Sequence, residues 1–584
     1  MTDSIRIGNC SGYYGDRMSA MREMLEGGPL DYLTGDYLAE LTMLILGRDR
    51  QKDPELGYAK TFLRQMGECM SIAGQRGVRI VTNAGGLNPA GLAAQLQTIA
   101  ADQGLDVTVG YIDGDDLSAR GDEFGFGSVL TANAYLGAFG IAEALRAGAD
   151  IVVTGRVTDA SLVVGPAIAE FGWARTDFDA LAGAVVAGHI IECGAQATGG
   201  NFSGFNDIDT SRPLGFPIAE VGADGSSVIT THPGTGGTVS VDTVTAQLVY
   251  EIQDQTYLNP DVAVHLESIG LQQESPGRVR VDGVRGSPPP DDVKVCLNSI
   301  GGFRNSVEFV LTGLDIDQKA AWVRRQLEES LAARAAAGGP AVPDITWVLE
   351  CTDNPDPETQ AAATSILRCH AMGPTPESVG RAFSGAAVEL ALASYPGFTM
   401  TAPPGSGGSF GVYRPAYVPQ NAVAHRANVG ADTPIDIPAP DVTGAVARQV
   451  PDQAPETVVA GPTVREPLGA LVHARSGDKG GDANLGVWVG ADHPDRQRAY
   501  AWLATYLTQE RVNDLLPETQ GLDIRIHRLP NLAAVNIEIS GLLGEGVAAS
   551  TRFDPQAKAL GEWLRARYGD IPGELLSANI GSRA

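Results

Sequence analysis

The sequence predicts an α/β protein in three parts: a Rossmann-like parallel-sheet N-terminal lobe, an α+β second lobe and a ferredoxin-like α+β domain at the C-terminus. Three observations carry this. Short β-branched strands alternate with amphipathic helices through the first half, the pattern of a parallel sheet with helices on its faces. After about Thr231 the strands lengthen and one long helix follows. Seven prolines among few large apolar residues then mark residues 434–467 as an extended linker. The division is therefore 1–235, 236–433, a linker at 434–467, and 468–584, each folded part long enough to bury its own core.

In the first part, strands are expected at 5–8, 78–82, 106–110 and 150–154. A helix is expected at 134–146, where Leu136, Phe139, Ala142 and Leu145 share a face. In the second part, strands are expected at 278–284, 293–300 and 306–311, before a helix carrying Ile316, Ala320, Val323, Leu327 and Leu331. Residues 287–292 and 337–343 read as loops. The C-terminal part reads as two strands, a helix at 495–516 stopped by Pro517, two strands meeting near Pro530-Asn531, and a last helix with Asp554 as N-cap and Pro555 at its first position. Two helices on one small antiparallel sheet satisfy that order.

Composition narrows the functional classes. The 584 residues are 43% hydrophobic and 19% charged, and 72 glycines with 35 prolines stay below the share that marks disorder. A net charge of −28 argues against a nucleic-acid partner, whose binding needs cations, but leaves room for a local basic pocket holding one anionic ligand. Six cysteines (Cys10, Cys69, Cys193, Cys296, Cys351, Cys369) form no CxxC pair, which fits a reducing cytosol and speaks against structural zinc. No charged-then-apolar leader and no apolar run of about 18 residues is present, so a soluble cytoplasmic protein with no membrane partner is expected. No P-loop, HExxH or EF-hand pattern occurs. Gly407-Gly-Ser409-Phe-Gly411 matches GxSxG, yet the strand-turn-helix context of a nucleophile elbow is missing around Ser409.

Polar residues gather where strands end, the place where open parallel sheets bind ligands. The loop Gly8-Asn-Cys-Ser-Gly12-Tyr-Tyr-Gly15-Asp16-Arg17 offers backbone N–H groups and a cation to an anion; alternatively it is a turn that needs glycine, with Asp16 capping a helix. Asn83-Ala-Gly85-Gly86-Leu-Asn88-Pro offers two amides and close backbone approach, and neither Asn83 nor Asn88 is demanded by the turn itself. Asp113-Gly-Asp-Asp116 reads as solvated turn acids before it reads as a cation site. Arg156-Val-Thr158-Asp159 combines an arginine for an anionic group with a carboxylate for proton transfer; an Arg156–Asp159 pair that merely holds the loop is the plainer alternative.

Glu192-Cys193-Gly-Ala-Gln196 through Asn201 brings together an acid or base, a thiol and two amides. Cys193 would attack a thioester only if its pKa were lowered, and an inert buried cysteine is the alternative. The loop 231–237, with His232, is a weaker anion candidate. In the C-terminal part, Arg475-Ser476-Gly-Asp478-Lys479 joins two strands with more charge than a hairpin needs, which points to a role in an active site of its own or a neighbouring subunit.

These motifs, together with Ala132-Asn133-Ala-Tyr-Leu-Gly-Ala138 and His232-Pro-Gly-Thr-Gly-Gly237, resemble the acyclic terpene utilisation AtuA family from about Ile5 to Tyr568, and the Arg475–Gly480 hairpin resembles its ferredoxin-fold domain. One departure is Gly481-Asp482, where the resemblance leads to an expected Asn. The resemblance implies breakdown of citronellol- and geraniol-type acids through CoA thioesters beside biotin-dependent acyl-CoA carboxylases. It implies an acyl-CoA substrate, with CoA as the substrate moiety and any cofactor left open, and a lyase or hydratase reaction on a branched 3-hydroxyacyl-CoA.

On this expectation Asp159 or Glu192 moves the proton and Asn83 or Asn133 polarises the thioester carbonyl. Arg156, Ser476, Asp478 and Lys479 complete the catalytic group. Gly12, Gly15, Asp16, Arg17, Gly85, Gly86, Asn88, Thr158, Gln196, Asn201 and Arg475 hold the CoA moiety. The alternatives are a thioesterase using Cys193 and a non-catalytic partner of an acyl-CoA carboxylase. A homo-oligomer is expected from the base rate for large enzymes.

Overall fold

The computed structural model describes residues 3–350, 354–430, 433–444 and 461–577. Cys351 and residues 445–460 of the expected linker lie outside them. The chain divides into two compact units, one of Met1–Asn298, Tyr413–Val547 and Asp554–Ala584, the other of Ser299–Val412 and Ala548–Phe553.

The first unit is built on an eleven-stranded mixed sheet. Its order is Gly270–Ser275, Arg278–Asp282, Ser227–Thr231, Pro217–Gly222, Ser4–Asn9, Tyr32–Gly35, Arg79–Thr82, Ile151–Thr154, Val109–Asp113, Arg426–Val429 and Ile435–Asp436. The five strands from Ser4–Asn9 to Val109–Asp113 are parallel. The strands flanking them on both sides pair antiparallel. The expected parallel sheet is thus the centre of a wider mixed one.

Parallel strands are buried on both faces, and their sequences show it. Along Ile151–Thr154, Ile151 and Val153 join Phe62, Met66, Leu92 and Leu96 of the helices Lys60–Arg76 and Pro89–Gln103 in one core. Val152 points the other way, into the core with Ile141, Val164, Val186 and Ile190 of the helices Phe139–Arg146, Ser161–Phe171 and Phe178–Glu192.

Three expected elements shift. The strand placed at 106–110 is Val109–Asp113. The helix placed at 134–146 begins only at Phe139, because Thr131–Ala134 is a strand paired with Val295 to Asn298. The two strands placed at 293–300 and 306–311 are one, Asp292–Thr312.

The C-terminal part of this unit is a four-stranded antiparallel sheet in the order Val472–Lys479, Asp482–Val489, Ala534–Ile539, Ile524–Leu529. Helices Arg496–Tyr506 and Leu560–Ala566 pack on one face, as two helices on a small sheet should. The helix expected over 495–516 breaks at Leu507, and Thr508 starts a second helix by accepting from the Arg511 N–H. Asp554 accepts from the N–H groups of Lys558 and Ala559, a turn before the last helix rather than its cap.

The opposite face of this sheet lies on residues 249–252. Glycine is required there: a Cβ on Gly486 would sit 2.3 Å from Val249, and one on Gly477 2.3 Å from the Tyr250 ring.

The second unit has its own core. Antiparallel strands Asp344–Glu350, Thr364–Gly373, residues 303–312 and Thr399–Met400 are covered by Ala320, Val323, Leu327 and Leu331 of the helix Ile316–Ala336 and by Phe383 and Ala386. Ser409 stands in the strand Gly408–Pro419, so the GxSxG match is not an elbow. Among the described residues no helix is long and apolar enough to cross a membrane.

Candidate active site

The sheet's carboxyl edge sorts the sequence candidates into two kinds. The glycine-rich loops spend their polar groups on the chain itself. Gly12 donates its N–H to Asp16 Oδ2 at 2.8 Å, so the chain's own carboxylate takes the place an anion would need, and Gly15 lies in the exposed turn between them. Arg17 is held by Glu23 and by the Leu214 carbonyl and lies over Phe216. The helix that follows has Ser19, not Asp16, at its N-cap position.

In the next loop, Asn83 Oδ1 accepts from the Tyr37 N–H at 2.8 Å and its Nδ2 donates to Asp36 at 2.6 Å. Asn88 caps the following helix through Gly91 N–H and donates to the Glu55 carbonyl. Contrary to expectation, Asn88 is required by the turn. Gly86 turns with φ 53°, and Gly85 lets the loop touch the end of Ile151–Thr154, where a Cβ would lie 2.5 Å from the Thr154 carbonyl oxygen.

The acids of 113–116 go separate ways: Asp113 pairs with Arg426, Asp116 with Arg50, and Asp115 accepts from Asn133 Nδ2 and the Arg156 N–H. Asn133 therefore supports the Arg156 loop through Asp115. His232 Nε2 donates to the Met24 carbonyl, an intrachain tie for loop 231–237.

The Arg156 loop is different in kind. Arg156 is 2% exposed, forms an ion pair with Asp159 at 2.7 Å and lies 4.2 Å over the Tyr135 ring. Its Nε is buried with no hydrogen-bond partner among the described residues. Thr158 and Ser161 bond through their hydroxyls at the helix start.

Around this pair gather residues the sequence reading missed. Asp36, at the end of Tyr32–Gly35, adds a carboxyl. Glu40 accepts from the Tyr135 hydroxyl at 2.9 Å and faces Lys294 at 3.7 Å. Asn9 donates to the carbonyls of Ile191 and Glu192, tying the first strand to the helix end that carries Glu192. His189 meets Glu192 at 3.0 Å.

The C-terminal hairpin closes the group within the same chain. Lys479 pairs with Glu251 at 3.3 Å. Glu251 holds a left-handed backbone, φ 60°, which side chains rarely adopt, and its N–H donates to Asn484 Oδ1 at 2.7 Å. Arg475 donates to Gln196 and to the Asn201 carbonyl, and lies 4.0 Å over the Tyr250 ring. Lys558 donates to the Tyr250 hydroxyl. Ser476 accepts from the Gly561 N–H and donates to the Lys558 carbonyl, which ties the hairpin to the helix Leu560–Ala566.

The carboxyls divide by environment. Burial and the neighbouring Asp159 charge raise Asp36 well above the usual carboxylate range, against Arg156. Burial likewise raises Asp159, against Arg156 and Lys479. Burial pushes Glu192 up to about 7 despite His189, and burial with Glu251 and Glu40 pushes Asp478 to about 7. Glu40 goes the other way: burial would raise it, but Lys294, Arg156 and Lys479 hold it at about 2. Glu251 is also lowered: burial would raise it, but Lys479, Lys558 and the Tyr250 hydroxyl together outweigh burial and Glu40. Carboxyls raised by burial therefore stand beside glutamates that cations hold low, the kind of separation found where acid and base roles divide.

Cys193 is not activated. Burial, then the charges of Glu251, Glu192 and Asp36, raise its thiol well above the ordinary value, opposite to what a nucleophilic thiolate needs. Among the described residues no group of three or more His, Cys, Asp or Glu is arranged to hold a metal ion.

The missed residues share a cause. Tyr32–Gly35 carries one β-branched residue, Thr34, against three in Arg79–Thr82 and four in Ile151–Thr154, so its strand signal is weak although Asp36 and Glu40 follow it as a strand-end loop does. Lys294 and Tyr250 carry no local pattern.

Comparison with known proteins places the residues in a family. No curated protein and no solved structure matches the chain. The model of the acyclic terpene utilisation family protein AtuA matches residues 5–429, and that of the AtuA ferredoxin-like domain matches residues 466–568. With the first covering well over half its length and the second covering the sheet that carries Arg475 and Lys479, the chain belongs to the acyclic terpene utilisation AtuA family.

Proposed function

We propose that the protein is a lyase or hydro-lyase of acyclic terpene breakdown, acting on a branched 3-hydroxyacyl-CoA. The observation that carries this reading is the coexistence, in one buried group, of carboxyls raised above the usual carboxylate range, Asp159 and Glu192, with glutamates held below it beside lysines, Glu40 and Glu251.

Loss of water from such a substrate needs both kinds of group. A carboxylate takes the proton from the carbon beside the thioester. The released electron pair forms the carbon–carbon double bond, and the bond to the 3-hydroxyl breaks as a carboxylic acid protonates the leaving oxygen to water. In the lyase variant the base takes the hydroxyl proton, the bond between the second and third carbons breaks, and the acid protonates the resulting enolate carbon. Asp159 and Glu192 fill these proton-moving roles. Arg156 and Lys479 supply positive charge for the enolate oxygen, each well-placed donor contributing about 3–4 kcal/mol. Asn83 and Asn133 are committed to Asp36 and Asp115, and the reading does not use them at the carbonyl. The raised thiol of Cys193 weighs against the thioesterase alternative.

The test pairs binding with turnover. A branched 3-hydroxyacyl-CoA at about 100 times its dissociation constant should stabilise the wild-type protein by about 2.7 kcal/mol, read as a melting shift. Mass spectrometry should show its conversion. Asp159→Asn should keep the shift and lose turnover. Full activity in that variant would remove Asp159 from the chemistry, and no shift with any CoA thioester would remove the substrate class.

A further inference from the structure

His189 and Glu192 are one turn apart at the end of the helix Phe178–Glu192, with side chains 4% and 7% exposed. His189 uses both ring nitrogens. Nε2 lies 2.9 Å from the Gln247 carbonyl oxygen, and Nδ1 lies 3.0 Å from Glu192 Oε1. A carbonyl oxygen can only accept, so Nε2 carries hydrogen in every protonation state of the ring. That leaves Nδ1 against a carboxyl oxygen. Two bare acceptors at 3.0 Å repel, and two protons between them collide, so the contact holds one proton.

Oε2 of Glu192 is buried without a hydrogen-bond partner among the described residues. It is the one oxygen of the pair left to exchange a proton with anything else. The Tyr257 ring packs 5.2 Å from the imidazole and shields it.

We infer that His189 is a positioning residue that turns Glu192 into half of a one-proton store, closed on the imidazole side by the Gln247 carbonyl and open only through Glu192 Oε2. The proton resides on Glu192 beside a neutral ring, or on Nδ1 beside a carboxylate, and the pair gains or loses it as a unit. A chain of proton carriers to solvent would need a free Nε2, which the Gln247 carbonyl denies.

The charges facing the pair come from several elements. Lys479 on the C-terminal hairpin disfavours the imidazolium, Glu251 favours it, and Asp159 with Glu251 favours the proton on Glu192. The use of this store in turnover rests on the function proposed above; the store itself does not.

The experiment is nitrogen NMR of full-length protein labelled with 15N-histidine, titrated from about pH 5 to about pH 9. The chain has 8 histidines, and a His189→Gln variant assigns the signal. Nε2 of His189 should stay protonated throughout. Nδ1 should show a shift between bare and protonated values, moving to bare as the pair loses its proton above neutral pH.

In Glu192→Gln that shared character should vanish, with Nδ1 accepting from the Gln amide as a bare nitrogen across the range. Should either variant misfold, the wild-type titration still decides: one histidine with a permanently protonated, slowly exchanging Nε2 and an Nδ1 transition above the ordinary histidine value supports the store. Nδ1 titrating identically in wild type and Glu192→Gln, or a wild-type protein in which every Nε2 proton exchanges freely, overturns it. Failure of CoA binding or turnover would leave these readings untouched, so the two ideas fail separately.

Discussion

The loops after Arg79–Thr82 and Ile151–Thr154 leave adjacent parallel strands at one edge of one sheet, yet they handle polarity in opposite ways. The first closes on itself: Asn83 serves Asp36 and the Tyr37 N–H, and Asn88 caps its own helix. The second buries an arginine whose Nε has no partner among the described residues, beside carboxyls whose charges disfavour one another. Glycines and amides at a strand end are accounted for by turn construction. Unresolved charge in a buried place is not, because each such group costs stability unless something compensates it. The difference is the reason the proposed function is built on the Arg156 loop and not on the Asn83 loop.

The comparison breaks most visibly at Lys479. Lys479→Met takes the counter-charge from Glu251 and lifts support from Glu40, so stability should fall by about 3 kcal/mol and turnover by at least about 100-fold, read by denaturant unfolding and product assay. Unchanged stability would mean that the pair is solvent-screened and that the hairpin adds no charge to the group.

Gly12→Ala probes a loop of the self-satisfied kind. Its Cβ would meet the Cys193 backbone carbonyl carbon at 2.6 Å, which should cost about 1–3 kcal/mol in a melting experiment. The smallest effect should come from Asn88→Ala, about 1 kcal/mol from the lost cap with turnover unchanged. A large loss of turnover there would return the amide loop to the site.

Sequence reading found what local periodicity controls. The helix Ile316–Ala336 and the strands Ser4–Asn9 and Arg79–Thr82 follow from apolar spacing alone, and Arg156, Asp159, Glu192 and Lys479 stood out as charge at strand or helix ends. What escaped depends on partners far along the chain. The helix at 134–146 reads as starting at Ala134 until Val295 to Asn298 pair with Thr131–Ala134, and the helix 495–516 reads as continuous until Thr508 caps a new start. Lys294 lies inside a strand with no motif around it; only folding brings it to Glu40. The Gly12 and Asn88 loops misled for the reverse reason, since the same residue types serve a phosphate or a turn, and spacing does not distinguish them.

The central claim is that burial in the group around Arg156 and Lys479 raises carboxyls above their ordinary range, Asp478 among them. Unfolding free energy measured against pH for wild type and Asp478→Asn tests it directly. Asp478 is raised from an ordinary 3.8 to about 7 by burial and by Glu251 and Glu40. The folded state therefore holds a proton that the unfolded chain has released across that window, so the stabilisation from this group is full below about pH 4 and is lost as pH rises toward 7. The asparagine variant lacks the titration. Wild-type stability relative to the variant should therefore fall by up to about 1.4 kcal/mol per pH unit between those limits. A difference that stays flat, or grows with pH, would contradict the account.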